Sequence, residues 1–163
     1  AATNRTSLTI NGLTEPGVSV SLNGQTVTVD ARGRFIKAIT LAAGANTLTF
    51  TAKDGAGNTA TVARTVTLDT TPPNLTVSEP ADGLNTSLEA IRVSGVTEPA
   101  AVVTVNDAVA VVNPTSSAFS AWVVLRPGVN SIVVTATDPT GNVRTVTRRV
   151  NRALRVYLPL VRR

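Results

Sequence analysis

"GLTEPGVSVSLNG", residues 12–24, lies over "GVTEPAAVVTVND", residues 95–107, at a constant shift of 83. Past one inserted residue, "LAAGANTLTFTAKDGAGNTATVARTV" at 41–66 lies over "LRPGVNSIVVTATDPTGNVRTVTRRV" at 125–150 at a shift of 84. Self-similarity over such a length is a tandem duplication, so the 163 residues are two copies of one domain. Within each copy the apolar period is two. Val18, Val20 and Leu22 alternate with serines, Asn23-Gly24 follows, and Val27 and Val29 then alternate with threonines. Asn-Gly between alternating runs is a hairpin signal, because a type I′ turn needs φ > 0 at both central residues. Phe35, Ile39 and Leu41 continue one face, "AAGAN" turns the chain, and Leu48, Phe50 and Ala52 form the next strand. "DGAGN" turns it again before Val62, Val66 and Leu68. Many short strands with no helical period predict an all-β chain of two β-sandwiches.

Composition agrees. Threonine and valine dominate, and β-branched side chains favour a pleated surface. No apolar run approaches the ~20 residues that span a bilayer, so no transmembrane segment is expected. The chain does not begin with Met, which points to a processed protein or a fragment of a longer one. Cysteine, histidine and methionine are absent, which removes disulfides, thiolate metal sites and the usual general base near neutral pH. No pair of carboxylates shows an acid/base division of roles, so no enzyme is expected. The net charge of +5 hides an asymmetry: residues 1–140 hold six Arg, two Lys and ten acids, whereas residues 141–163 hold seven Arg and no acid. Without a recognition motif or interleaved aromatics these arginines do not point to nucleic acid. An anionic cell envelope, or the mildly acidic remainder of a neighbouring copy, suits them better.

The boundary is "LDTTPPNLTV", 68–77, where Pro72-Pro73 cannot continue a ladder and stiffens the connection. The expected division is residues 1–69, residues 70–151, and a C-terminal apolar strand at 152–163.

The pattern G-x-T-E-P-G, V-x-V-x-L-N-G, G-x-F, L-x-x-G-x-N and A-x-D-x-x-G-N, ending in D-x-T-P-P, resembles bacterial immunoglobulin-like domains, above all the type that accompanies glucodextranase and many cell-surface proteins. The resemblance covers nearly everything up to Val150 and implies tandem immunoglobulin-like sandwiches in a secreted or surface-anchored setting. It does not choose among spacer, adhesin stalk and enzyme accessory. The second copy departs from it at Asn106-Asp107 and at "NPTSSAF", both read as hairpin changes. The ending "VYLPLVRR" is similar to C-terminal tails of secreted proteins of Chloroflexi-type bacteria.

Three groups of residues are candidate sites. Asp54 and Asp138 open equivalent turns; with Glu15, Glu98 or Asp69 they would be oxygen ligands for calcium, the one cofactor worth considering. The competing reading is that Asp and Asn bond their own backbone in such turns, and it is preferred. Lys37, on the parity of Phe35 and Ile39, is read as a strand-end lysine reaching water. Alternation places Phe119, Ala121, Val123 and Leu125 inward and leaves Trp122 and Val124 outward, as a protein contact or a sugar platform for envelope polysaccharide; Tyr157, the one tyrosine, is a further candidate contact, and without a clustered aromatic partner the protein contact is preferred. A bulge that turns Trp122 inward is the alternative.

The third group is the ending. Leu154, Val156, Leu158 and Leu160 share one parity, and Arg155, Tyr157 and Pro159 the other, which is a strand with one apolar face. The second copy opens with "NLTVSEPADGLNT", 74–86, whereas Ala1 already matches Leu84. The first copy thus lacks the strand with which the second begins. Donation of the ending to the first domain of another copy would bury four aliphatic side chains, worth about 6–10 kcal/mol gross. A head-to-tail contact that does not close makes a filament. The alternatives are a first strand removed at a processing boundary and a tail that docks on its own second domain. The resulting expectation is a non-enzymatic extracellular structural or adhesive module of a bacterial surface that self-associates or joins domains of a parent chain. The rival is an accessory spacer or carbohydrate-binding region of a secreted glycoside hydrolase.

Overall fold

The computed structural model describes residues 1–154, and they form strands and turns with no helix. The chain divides into two compact units, Ala1–Thr70 and Thr71–Arg163. The first contains β1 (Ala2–Thr3), β2 (Ser7–Leu13), β3 (Ser19–Leu22), β4 (Gln25–Val27), β5 (Arg34–Thr40), β6 (Gly44–Lys53) and β7 (Thr59–Leu68). One of its sheets runs β1-β7-β6-β3-β4 and the other is the pair β2-β5. The second unit contains β8 (Leu75–Glu79), β9 (Leu84–Thr86), β10 (Ala90–Thr97), β11 (Val102–Val105), β12 (Ala108–Val109), β13 (Val111–Val112), β14 (Ala118–Val124), β15 (Gly128–Thr137) and β16 (Val143–Arg152). Its sheets run β12-β11-β15-β16-β9 and β13-β14-β10-β8. Two facing sheets around one core make each unit a β-sandwich.

The repeated motifs are the joints of this frame. Asn23-Gly24 and Asn106-Asp107 have positive φ at both positions, as the hairpins β3-β4 and β11-β12 require. Asn23 Oδ1 accepts the amide of Thr49 and Asn106 Oδ1 that of Val133, each at 2.8 Å, so the turn residue also ties its hairpin to the next long strand. In L-x-x-G-x-N the asparagine staples its own turn. Asn46 accepts from the Ala42 amide and donates to the carbonyls of Ala42 and Gly44, and Asn130 does the same with Arg126 and Gly128. The changed loop of the second copy is one residue longer, the Ser117 amide closing on the Asn113 carbonyl where the Gly33 amide closes on that of Asp30, and Ser117 takes the positive φ that Gly33 holds.

The duplicated strands correspond pair by pair, with one exception. Strands β2 to β7 match β10, β11, β12, β14, β15 and β16, and the parallel pair β1-β7 matches β9-β16. Even β13 has a counterpart, the bridge between Val29 and Phe35. Only β8 has none among the described residues. It pairs with the edge of β10 that β14 leaves free, and no described strand covers the same edge of β2.

That single strand decides how well each core closes. In the second unit β8 contributes Leu75 and Val77, and Val93, Val103, Ile132, Val134, Ala136 and Val150 are wholly enclosed. In the first, only Val20, Leu22, Val27 and Leu48 are buried in the central cluster, with Ile10, Phe35, Phe50, Ala52 and Val66 partly exposed around it. The ending falls mostly beyond this description. Leu154 follows β16 outside any strand and is 66% exposed, and Val156, Tyr157, Leu158 and Leu160 lie outside the described residues.

Candidate functional site

Along the uncovered edge of β2 the first domain carries an open apolar groove of about 400 Å³. Its floor is Phe35, Phe50 and Ala52, one wall is Ile10–Thr14, and the other is Ala60–Val62 with Arg64. Its residues correspond to positions the second domain has sealed: Phe35 to Phe119, Phe50 to Val134, Ala52 to Ala136, Ile10 to Val93. All four of the latter are 2% exposed or less. Val62 is 45% exposed, while its counterpart Val146 packs on the core. Phe35 and Phe50 stand with ring centroids 6.1 Å apart at the base of the groove.

Glycine at position 12 shapes this wall. A Cβ there would strike the Phe35 ring, and a Cβ at its counterpart Gly95 would strike both the Phe119 ring and the Thr76 carbonyl of β8. The same glycine therefore admits a ring beneath the strand in both domains, and in the second domain also a neighbouring strand. Sequence reading did not find the groove's polar element. In the second domain Arg148 Nη2 donates to the carbonyl of Val77 at 3.0 Å, joining β16 to β8 across the sandwich. Its counterpart is Arg64, whose Nη1 among the described residues donates to the adjacent Ala63 carbonyl, at 3.1 Å. The recurrence of arginine at a shift of 84 was the available signal.

The carboxylates stand apart from the groove's chemistry. Asp138 is buried, and its Oδ1 accepts from the amides of Thr140, Gly141 and Asn142 and from the Thr140 hydroxyl, while Oδ2 accepts from Asn142 Nδ2. Burial opposes its ionisation, but the bonds from Asn142, Thr140 and Gly141 outweigh burial and hold the carboxyl at about 2. Asp54 accepts from the amide and side chain of Asn58, at 2.8 Å each, and is lowered chiefly by those bonds. Glu98 accepts the amide of Asn74, Glu15 accepts Val18's amide through its carbonyl, and the Asp69 amide donates to Thr3. These five acids are spread over separate turns, and no group of three or more His, Cys, Asp or Glu gathers among the described residues. The carboxylate oxygens of Asp54 and Asp138 are committed to their own turns.

Trp122 stands 73% exposed and Val124 79% exposed on the outer face of β14. Seven consecutive pairs join β14 to β10 without a shift, Trp122 opposite Arg92, so there is no bulge to turn the indole inward. Lys37, opposite Ile10 on β5, is partly buried.

Two sandwiches of this topology in series place the protein in the class of tandem immunoglobulin-like β-sandwich proteins. The family model for glucodextranase domain B matches residues 1–70 and again 73–153, and the chain belongs to that family. Bacillopeptidase F of Bacillus subtilis (strain 168) is 37% identical over 148 residues, which is 86% of this chain and 10% of that protein. The chain thus spans about a tenth of the curated relative it matches. Among solved structures, the fibronectin(III)-like modules of Clostridium thermocellum CbhA superpose with a TM-score of 0.55 at 14% identity, covering 94% of this chain and 88% of that one, a likeness of fold. Among the described residues no helix is long and apolar enough to cross a membrane.

Proposed function

We propose that this chain is a non-enzymatic structural or adhesive module of an extracellular bacterial surface, and that it assembles head to tail by donating residues 154–161 to the groove of another copy's first domain. The observation that carries this reading is the groove itself: the second domain fills the same place with a five-residue strand. Leu154, Val156, Leu158 and Leu160 repeat the two-residue apolar spacing such a strand needs. Charge is not the attractive term. The first domain bears Arg5, Arg32, Arg34, Arg64, Lys37 and Lys53 against Glu15, Asp30, Asp54 and Asp69, so it is itself slightly basic. Raising salt therefore strengthens association or leaves it unchanged. Light scattering after size exclusion and electron microscopy test the reading. The full chain forms concentration-dependent oligomers and filaments, and a chain lacking 153–163 stays monomeric. A monomeric full chain at every concentration refutes it.

A second reading is favoured by the outward Trp122 beside Val124: an accessory spacer or carbohydrate-binding region of a larger secreted enzyme. The family name and the small share of Bacillopeptidase F that is matched support it. Polysaccharide that shifts Trp122 fluorescence, with the shift lost in Trp122→Ala, distinguishes it.

A further inference from the structure

The strand β8 reads Leu75-Thr76-Val77-Ser78-Glu79 and is followed by Pro80. The ending reads Leu154-Arg155-Val156-Tyr157-Leu158-Pro159. Both are L-x-V-x-x-P. The apolar pair matches the two β8 side chains that enter the core, and the one change from acidic to apolar, Glu79 to Leu158, falls where β8 is already exposed. Resting on the strand-donation reading, we propose that the ending of a second copy docks in the register of β8 and that Arg64 is the residue that anchors it. Leu154 and Val156 take the places of Leu75 and Val77, and Pro159 that of Pro80.

The pairings follow from the second domain, where Thr97, Val96 and Gly95 stand opposite Leu75, Thr76 and Val77. At a shift of 83, Thr14 faces Leu154, Leu13 faces Arg155 and Gly12 faces Val156. Gly12 leaves room for the incoming backbone, as Gly95 does beside Thr76. Arg64 then donates to the carbonyl of Val156 as Arg148 donates to that of Val77. A charged donor aimed at a main-chain carbonyl holds the backbone in place, while Leu154, Val156 and Pro159 set the register. Among the described residues the guanidinium bonds its neighbour's carbonyl, which a docked strand would replace at little cost.

The chain enters and leaves the second domain at opposite poles, and the donor proposed is a second copy. Leu75 pairs with Thr97 at one pole of the second domain, whereas Arg152 binds Glu89 and the Leu125 carbonyl at the other. β16 separates these poles by ten residues, ~33 Å at ~3.3 Å per residue, and Leu154 follows only two residues later.

The absence of native cysteine makes disulfide trapping clean. Leu13 is 72% exposed, so Leu13→Cys perturbs no core, and the change paired with it is Arg155→Cys. Under oxidation the full chain carrying this pair forms a ladder of linked dimers and higher species, whereas Leu13→Cys with Tyr157→Cys, two residues out of register, forms little. Equal ladders from both pairs, or a closed disulfide within one monomer, overturns the proposal. Light scattering on the same samples separates the failures. Oligomers without register-specific linkage refute this register alone, and the absence of oligomers refutes strand donation as well. Arg64→Ala weakens association about tenfold or more while its melting temperature holds, and Arg64→Lys recovers part of the loss. Unchanged association in Arg64→Ala removes the anchor.

Discussion

The two domains of this chain use the same hairpins, asparagine staples and aspartate turns, yet one closes its core and the other leaves it open along one edge. In the second, Val93, Val134, Ala136 and Val150 are fully enclosed, while their counterparts Ile10, Phe50, Ala52 and Val66 stay partly exposed. The difference is a strand of five residues that carries two inward aliphatic side chains and accepts one arginine bond. Local structure in a sandwich is therefore nearly independent of its closure. Turns and ladders form around an incomplete core, and an outside strand can supply the rest. Such an edge, with apolar surface beside it, is what a protein avoids unless something covers it.

The largest way to sharpen this contrast is at the two equivalent phenylalanines. Phe119→Ala removes a ring 2% exposed beneath β8 and costs the second domain about 3–5 kcal/mol, whereas Phe35→Ala in the chain lacking 153–163 costs clearly less, because the groove already exposes that ring. Denaturant unfolding resolves the two, and equal losses would erase the distinction between an open and a closed domain. Leu75→Ala comes next, at about 2–5 kcal/mol, and it lowers the transition of the second domain alone. The smallest effect is electrostatic. Asp138 is held at about 2, below its ordinary value of 3.8, so its ionised form contributes stability that is present above pH ~4 and is lost as pH falls through about 2. Asp138→Ala flattens that acid limb in the second domain. The half-buried Asp54 is lowered in the same direction, and Asp54→Ala moves the first domain less.

Much of this frame was legible in the residues. The duplication, the Asn-Gly hairpin and the outward placement of Trp122 follow from a period of two and from turn chemistry, which act between near neighbours. The committed oxygens of Asp54 and Asp138 follow from the same local rules. What stayed hidden depends on contacts across the sandwich. Arg148 meets Val77 from 71 positions away, and no pattern along the chain marks a guanidinium as the partner of a distant carbonyl. The parallel pairs β1-β7 and β9-β16 are two and three residues long, too short to show a period. That β8 has no match in the described first unit was visible by counting back from the shared "GLTEP". That the uncovered place is a groove with Phe35 and Phe50 at its base was not, because partial burial is a property of the assembled sheets.

Amide hydrogen exchange at Asn11 and Leu13 tests the central claim most directly, since the Thr14 amide already donates to the Gly33 carbonyl and alternation along β2 turns the Asn11 and Leu13 amides toward the uncovered edge. Strand donation between copies predicts exchange that slows as the full chain is concentrated and stays fast at every concentration once 153–163 is removed. Exchange that is fast throughout, or equally slow at the lowest dilution with and without the ending, contradicts it.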